Sequence, residues 1–388
     1  MRRSERELIA ILREQGVDFT CSLPCEKIKD LLEMVSEAFF HVPLTREEEG
    51  VGICAGAALS GKRPAIFVQS SGIGNMMNAL LSLTGFYELP LSVFVSRRGI
   101  YKEKIEAQVP MGARLPMILR GAGISHTVID TKDMIGDVRK RLADVYRRNE
   151  IHVFLLSPRL WEGSGRARDT GARVPAAKAG VRPDSTLSCG VSPQLTRYEV
   201  LRRIVPHLDA KVVVCNLGFP SKELFSLRHQ PSNFYMLGSM GMATPIGLGI
   251  ALAARDRQVV VIEGDGSLLM NPGTLATAAH AAPSNLTIIA IDNGAYGSTG
   301  DQPTLTRSCV DLEMVARGFG IKNTFKVSSR KEIVELVKHP SKGLRFIHAL
   351  ALPGNEDVPN IFLHHLEIKR QVQDFLNAGP GASQSPSP

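Results

Sequence analysis

The sequence predicts an α/β protein built from two wound, parallel-sheet domains. Helical and strand patterns alternate over residues 1–161 and again over 194–377, as they do where helices connect the strands of a parallel sheet. The strands are short apolar runs such as Ala65–Gln69 and Val259–Ile262, which is typical of strands covered on both faces. Between the two regions, residues 162–193 show no apolar period.

The individual elements follow from these patterns. In the first domain we expect, in order, helix Ser4–Gln15, strand Phe19–Leu23, helices Glu26–Phe39 and Glu48–Leu59, strand Ala65–Gln69, helix Asn75–Leu83, strand Leu91–Ser96, helix Thr131–Arg148 and strand His152–Leu156. In the second we expect a helical segment, Ser267–Ala281, and strands near Val212–Cys215, Val259–Ile262, Leu286–Ile291 and Phe346–Ala351. Residues 162–193, rich in Gly, Ala, Arg, Pro and Ser, are predicted to be a flexible linker, and 378–388 a disordered tail.

Composition narrows the class of protein. At 388 residues the chain can hold two full hydrophobic cores, and its apolar runs are too short for a membrane-spanning helix. The net charge of +8 is spread along the chain rather than massed in a stripe, so we expect small anionic ligands and neither a nucleic acid nor a membrane as partner. The six cysteines are scattered, which favours reduced thiols and a cytoplasmic protein.

A metal-diphosphate site is predicted at the carboxyl ends of two strands. The run Val259–Glu263 leads into Gly264, Asp265 and Gly266, and 28 positions after Asp265 the next strand has ended at Asp292 and Asn293. Glycines at such strand ends let backbone amides approach phosphate oxygens, and Mg²⁺ prefers oxygen ligands such as these. Either piece alone would be an ordinary turn, but the two together favour a site.

This stretch resembles the cofactor signature of thiamine diphosphate enzymes, in which Gly-Asp-Gly is followed on a later strand by a pair of asparagines. The chain departs from the signature at the first position of the pair, where it has Asp292. The resemblance implies that Asp265, Asn293 and the backbone carbonyl of Ala295 bind Mg²⁺. It also places Gly264, Gly266, Ser267 and Tyr296 against the cofactor thiamine diphosphate.

The family also requires a glutamate that exchanges a proton with the pyrimidine ring of the cofactor. Residues Thr45–Gly50 contain three consecutive glutamates before a helix of small residues. In the family the acid stands two residues ahead of a glycine, an offset that selects Glu48 as the catalytic residue, with Glu47 as its main rival. The alternative is that these acids only stabilise a helix N-terminus.

A third resemblance lies in the segment LGSMGMATPIGLGIALA of the second domain. It implies that the carbonyl of Gly238 accepts from the amino group of the pyrimidine. It also places Met240 beneath the bend of the cofactor, with Ser239 between them. Without the resemblance, a methionine in such a turn would be read as core packing.

Residues for the substrate are expected in the first domain. The strand-to-helix turn QSSGIGNMMNAL lines the pocket in relatives, and a substrate with two anionic groups also needs cations or donors at each end. The candidates are Gln69, Ser70, Ser71, Asn75, Arg97, Arg98 and Gln108, ahead of Lys102 and Lys104. For each charged residue, a solvated surface position is the alternative.

The domain composition resembles that of the sulfopyruvate and phosphonopyruvate decarboxylases, which consist of a pyrimidine-binding domain (here 1–161) and a diphosphate-binding domain (194–377) with no middle domain. The stretch EKIEAQVPMG, residues 103–112, resembles the sulfopyruvate enzymes. The resemblance implies non-oxidative decarboxylation of 3-sulfopyruvate to sulfoacetaldehyde and CO₂, as in coenzyme M biosynthesis, with 3-phosphonopyruvate as the alternative substrate. It also implies a homodimer or homotetramer with active sites between chains.

Two other classes fit less well. A 2-oxoacid oxidoreductase component would need cysteines spaced for iron-sulfur clusters, and the scattered cysteines lack that spacing. A regulatory protein with an inactive site is disfavoured because both Glu48 and Asp265 are present.

Overall fold

The structure, a computed structural model, describes residues 3–162, 192–339 and 343–378. The predicted linker, 162–193, lies almost wholly outside the described residues, and so do residues 379–388 of the predicted tail. The domain boundaries drawn there stay predictions.

The first sheet has six parallel strands in the order β2-β1-β3-β4-β6-β5. The strands are β1 Phe19–Ser22, β2 Phe40–Pro43, β3 Pro64–Gln69, β4 Leu91–Ser96, β5 Ser125–Ile129 and β6 Ile151–Leu156. The helices are α1 Arg3–Glu14, α2 Lys29–Ala38, α3 Glu47–Leu59, α4 Ser70–Ala79, α5 Val109–Gly121 and α6 Asp137–Arg148. The predicted α/β class is therefore confirmed for this half.

The second sheet also has six parallel strands, in the order β13-β14-β10-β9-β7-β8. The strands are β7 Val212–Cys215, β8 Asn233–Tyr235, β9 Val259–Gly264, β10 Leu286–Asp292, β13 Thr324–Val327 and β14 Arg345–Leu350, with a small antiparallel pair, β11 Ala295–Tyr296 and β12 Gln302–Pro303. The helices are α7 Arg197–Ile204, α8 Phe219–Leu227, α9 Ala243–Ala253, α10 Asp265–Leu268, α11 Thr274–Ala281, α12 Leu312–Gly318, α13 Arg330–Lys338 and α14 His365–Asn377.

Within the two six-stranded sheets, the strands that the sequence did not predict are the edges, β2, β5, β8 and β13, and the two-residue pair β11 and β12 was not predicted either. Edge strands are covered on fewer sides and are often short, so their apolar pattern is weak. The predicted helix Ser267–Ala281 was also wrong, because the chain forms two helices, α10 and α11, with Pro272 and Gly273 between them. Proline cannot continue a helix from the preceding turn.

The two domains meet where helices α3 and α9 cross. Every residue of α3 is buried, and so is α9 from Ala243 to Leu252. A Cβ atom on Gly56 would lie 2.1 Å from the carbonyl oxygen of Ile246, and one on Gly249 would lie 2.0 Å from that of Ile53. The backbones therefore touch directly, and only glycine fits at either position.

Further contacts continue this interface along its length. The hydroxyl of Tyr87 donates to the carbonyl of Tyr235 at 2.9 Å and accepts from the amide of Leu237 at 3.0 Å. One hydrophobic core runs through strands of both sheets, and a second covers the outer face of the first sheet under α1, α2 and α6. In the part of the chain that is described, no helix combines the length and apolarity needed to cross a membrane.

We predict that Gly56→Ala destabilises the protein by about 1–3 kcal/mol, because the added methyl group must push the two helices apart. Chemical denaturation would measure the change in the free energy of unfolding. Gly121→Ala is the matched control, since a Cβ atom at Gly121 meets nothing within 4 Å. Equal effects of the two substitutions would contradict the close crossing.

Candidate active site

A pocket lies at the carboxyl ends of β9 and β10 in the second sheet. Every residue predicted to bind cofactor or metal in the second domain, apart from Gly238 and Ser239, lines this pocket. They are Met240, Gly264, Asp265, Gly266, Ser267, Asn293, Ala295 and Tyr296. The walls come close at one point, since a Cβ atom on Gly266 would lie 2.2 Å from the Tyr296 ring. The topology thus brings the two halves of the sequence motif together, as parallel strands allow.

Asp265 is buried and its carboxylate is held by hydroxyl groups. Its Oδ2 accepts from the hydroxyl of Thr304 at 2.5 Å and lies 3.1 Å from the hydroxyl oxygen of Thr306. Burial raises the pKa of Asp265 to about 6, and the neighbouring charge of Asp292 acts in the same direction. The carboxylate therefore has neutral partners, and a cation in this pocket would favour its ionised form.

Asp292 is the last residue of β10 and Asn293 follows it, and the two side chains have different surroundings. The side-chain amide nitrogen of Asn293 is buried and has no hydrogen-bond partner. Asp292 accepts from Thr306 at 2.7 Å and lies 2.8 Å from Nε2 of His348. Burial alone would raise the pKa of Asp292, but the hydrogen bonds from His348 and Thr306 outweigh it and hold the pKa below its ordinary value.

His348 lies in β14, the strand next to β10, and is buried. Its Nδ1 lies 3.5 Å from a carboxylate oxygen of Asp311, which in turn contacts Nζ of Lys326 at 2.6 Å. Burial alone would lower the pKa of His348, but the two aspartates overcome this effect and raise it. Asp292 is thus compensated by a partner on its far side from the pocket, whereas Asp265 is not.

The segment Gly238–Gly241 is anchored on both sides. The amide of Gly241 donates to the hydroxyl of Ser267 at 2.9 Å, which joins the segment to the Gly-Asp-Gly turn. On the other side, the hydroxyl of Ser239 lies 2.5 Å from that of Ser82 in the first domain. Ser239 has a positive φ of 58°, so the backbone turns sharply here.

The three glutamates at the start of α3 have three different sets of neighbours. Glu49 accepts from the amide and hydroxyl of Thr45 and from the hydroxyl of Thr277, which makes it a helix-capping group. Glu48 lies 3.5 Å from Nε of Arg46 and accepts from the side chain of Asn271 at 3.3 Å.

Glu47 instead faces α4 of its own domain. It accepts from the side chain of Asn75 at 2.9 Å, and a Cβ atom on Gly72 would lie 2.6 Å from its carboxylate. The glycine therefore makes room for this side chain. The predicted residues Glu47 and Asn75 are brought together, whereas Glu48 faces the second domain of the same chain.

The remaining candidates on the strand-to-helix turn differ in burial and in hydrogen bonding. Ser70 is fully buried, donates to the carbonyl of Ser96 at 3.1 Å and accepts from the amide of Arg98 at 2.9 Å, so its hydroxyl is engaged in the fold. Gln69 and Ser71 are half-buried, and Asn75 is exposed.

The two arginines after β4 also differ. Arg98 forms a bidentate pair with Glu103 at 2.6 and 2.7 Å, and both side chains are only 5% exposed. The hydrogen bond from Arg98 lowers the pKa of Glu103 to about 2. Arg97 is half-buried and its Nε lies 3.4 Å from the carbonyl of Gly112. Gln108 is half-buried with an unpaired, buried Oε1. Arg97 and Gln108 are thus freer to meet a ligand than Arg98.

Several residues that sequence patterns did not single out belong to this region. Arg197 and Asn216 line the pocket, and Thr304 and Thr306 hold Asp265. Arg197 is buried in a bidentate pair with Glu223, with both hydrogen bonds at 2.8 Å. No motif marks these residues, because each comes from a segment distant in sequence from the Gly-Asp-Gly turn.

Comparisons with known proteins identify the family. Residues 3–115 match the family model "Thiamine pyrophosphate enzyme, N-terminal TPP binding domain", and residues 220–349 match "Thiamine pyrophosphate enzyme, C-terminal TPP binding domain". A sulfopyruvate decarboxylase of Methanosarcina acetivorans is 42% identical over 383 residues, which cover 96% of this chain and 97% of the relative. The chain belongs to the thiamine pyrophosphate enzymes.

Other members of this family match all or half of the chain. Sulfopyruvate decarboxylase subunit beta of Methanococcus maripaludis is 44% identical over 48% of this chain and 98% of its own length. A phosphonopyruvate decarboxylase of Streptomyces hygroscopicus is 32% identical over 96% of this chain and 94% of its own length. The crystal structure of benzoylformate decarboxylase from Polynucleobacter necessarius shares the fold, with a TM-score of 0.70 at 14% identity over 92% of this chain and 100% of that one.

Membership of the family confirms the predicted fold and the prediction of thiamine diphosphate (thiamine pyrophosphate) binding domains. The role of each individual site residue stays a prediction, including the choice between Glu47 and Glu48.

Proposed function

We propose that this protein is a thiamine diphosphate- and Mg²⁺-dependent decarboxylase that converts 3-sulfopyruvate to sulfoacetaldehyde and CO₂, as in coenzyme M biosynthesis. The observation that carries the proposal is the 42% identity to a sulfopyruvate decarboxylase over nearly the full length of both chains. The pocket supports it, because the residues expected to bind the metal and the diphosphate of the cofactor line one cavity.

The pocket residues fit a cation and a diphosphate. Asp265 and Asn293 supply a carboxylate and an amide, and Ala295 supplies a backbone carbonyl, which are the few protein oxygens that Mg²⁺ takes beside phosphates and water. The buried amide nitrogen of Asn293 lacks a partner and could donate to a diphosphate oxygen. Burial raises the pKa of Asp265 to about 6, and a cation in the pocket would favour its ionised form. Gly264, Gly266 and Ser267 would hold the diphosphate through the backbone.

The cofactor supplies an electron sink for the pair released when the carboxylate leaves as CO₂. Protein groups must bind it in a bent form, and Gly238, Ser239 and Met240 are placed for that role beside the Gly-Asp-Gly turn. A glutamate must exchange a proton with the pyrimidine nitrogen, which favours a carboxyl group that is buried and not neutralised by a cation.

The contacts favour Glu47 over Glu48 for this role. The guanidinium of Arg46 lies 3.5 Å from the Glu48 carboxylate, whereas the hydrogen-bond partner of Glu47 is the neutral amide of Asn75. Gly72 leaves room for the Glu47 carboxylate. The offset from Gly50 had selected Glu48, so the two observations point to neighbouring residues and a direct test is needed.

The anionic ends of the substrate need donors, and the freer side chains of the first domain supply them. Arg97 and Gln108 are the principal candidates, followed by Gln69 and Ser71. The guanidinium of Arg98 is already paired with Glu103. Arg98 therefore stabilises the loop that carries Arg97 rather than binding the substrate. The net charge of +8 favours a small anionic 2-oxoacid. We further propose a cytoplasmic protein that needs neither nucleic acid nor membrane.

We also propose a homodimer or homotetramer with active sites between chains. Large apolar side chains are exposed beside both halves of the site, namely Leu237 and Met270 in the second domain and Ile105 and Val109 in the first. The hydrogen-bond partner of the buried Glu47 is an exposed residue, Asn75, which lies where a second chain could pack. In Methanococcus maripaludis the alpha and beta subunits of sulfopyruvate decarboxylase are separate chains that each match less than half of this chain, which supports assembly of separate parts.

We predict that the purified protein, supplied with thiamine diphosphate and Mg²⁺, releases CO₂ faster from 3-sulfopyruvate than from 3-phosphonopyruvate. The reason is the higher identity to the sulfopyruvate enzyme than to the phosphonopyruvate enzyme, 42% against 32%. The measurement is kcat/KM for each substrate, with cofactor-free protein as the control. A preference for the phosphonate would overturn the substrate assignment.

We predict that Glu47→Gln lowers kcat by at least about 100-fold, the usual contribution of a positioned acid or base, whereas Glu48→Gln has a much smaller effect. Both proteins should still bind the cofactor with Mg²⁺, which calorimetry would verify. The reverse pattern would return the role to Glu48. Near-normal rates for both variants would remove the glutamate from the mechanism altogether.

We predict that chains with complementary defects restore each other. Glu47→Gln and Asp265→Asn chains carrying different affinity tags would be co-expressed and the mixed oligomer purified through both tags. If the site lies between two chains, each mixed dimer regains one intact site and about half of the wild-type activity. Activity no higher than that of either single variant would place the whole site within one chain.

A further inference from the structure

A hydrogen-bonded row of side chains lies behind the cofactor pocket. Thr306 is its middle member, because its hydroxyl oxygen lies 3.1 Å from Asp265 and 2.7 Å from Asp292. Thr304 lies 2.5 Å from Asp265 and 2.8 Å from Thr306. The row therefore connects the proposed metal ligand Asp265 to the residue that precedes the other proposed ligand, Asn293.

The number of hydroxyl protons limits which hydrogen bonds in this row can form at the same time. Each threonine hydroxyl has one proton to donate, and carboxylates only accept. If Thr304 donates to Asp265 at the shorter distance and Thr306 donates to Asp292, no proton remains for the 3.1 Å contact between Thr306 and Asp265. Asp292 thus fixes the orientation of Thr306, and Thr306 limits where the Asp265 carboxylate can lie.

Asp292 is in turn held from the opposite side by His348. The ring nitrogen Nε2 lies 2.8 Å from Oδ2 of Asp292, and the His348 side chain is 1% exposed. The other ring nitrogen lies near Asp311 and the amide of Glu313, at 3.5 and 3.3 Å. A carboxylate buried without such a partner would be strongly unfavourable.

Asp292 occupies the position at which the cofactor motif has its first asparagine. It is the one place in the cofactor motif where this chain departs from the asparagine pair. The carboxylate of Asp292 brings a second negative charge close to Asp265. His348 is the ring that hydrogen-bonds to this carboxylate.

We propose that His348 is a positioning residue for the cofactor pocket, which acts by holding Asp292 and, through Thr306, the carboxylate of Asp265. The inference rests on the proposed function, because it takes Asp265 as the ligand of the Mg²⁺ that binds with thiamine diphosphate. His348 itself touches neither substrate nor cofactor.

The test is a cycle of His348→Gln, Asp292→Asn and the double variant, with the affinity for thiamine diphosphate in the presence of Mg²⁺ measured by calorimetry. His348→Gln should weaken this affinity about tenfold, the lower end of the loss found when a residue that supports a metal site from outside the ligand set is removed. The double variant should bind more tightly than His348→Gln alone, because the uncompensated carboxylate has been removed. His152→Gln, which alters a buried histidine in the first sheet, is the control and should leave the affinity unchanged.

Unchanged affinity in His348→Gln would overturn the inference, and so would effects that simply add in the double variant. An equal loss in His152→Gln would also overturn it, since the effect would then be general. Should His348→Gln fail to fold, Asp292→Asn and the double variant decide: recovery of a folded, binding protein in the double variant supports the coupling, and no recovery overturns it. Failure of the wild-type protein to bind the cofactor with Mg²⁺ would instead overturn the proposed function.

Discussion

The placement of the two domains within one chain depends on the direct backbone contact between α3 and α9. Gly56 and Gly249 allow the two helices to approach more closely than any side chain would permit. Gly52 packs on Pro245 and Gly56 on Ile246, so the two helices begin on the same side of the crossing. The glutamates at the start of α3 and the Gly238–Gly241 segment before α9 are therefore held together at one end of the interface.

A second constraint comes from the parallel sheets. Asp265 and Asn293 share a pocket because β9 and β10 are neighbours and both end at the same edge. The helix crossing determines the distance between the two domains. The neighbouring strand ends determine the distances between pocket residues within the second domain. The positions of the pocket residues are thus set by buried strands and helices rather than by the loops alone.

The sequence allowed the central strands, the two domains and the pocket motif to be predicted, because these depend on local patterns. The edge strands β2, β5, β8 and β13 were missed since their side chains meet fewer neighbours. Pairings across the fold could not be predicted either. His348 lies 56 positions from Asp292, and no spacing rule joins them. The choice between Glu47 and Glu48 was equally beyond a motif, because one residue along a helix changes which face of the domain a side chain meets.

Asp265 and Asp292 are close neighbours whose pKa values are shifted in opposite directions. Asp292 has a pKa below its ordinary value because His348 and Thr306 compensate its charge, whereas the pKa of Asp265 is raised to about 6 by burial. Neighbouring carboxyl groups whose pKa values are driven apart commonly have different roles. Here hydrogen bonds from His348 and Thr306 stabilise the charged form of one carboxylate, whereas the other, in the pocket wall, accepts from the neutral hydroxyl of Thr304. A buried carboxylate can therefore stand at the position of the first asparagine, because the fold itself supplies its hydrogen-bond partners.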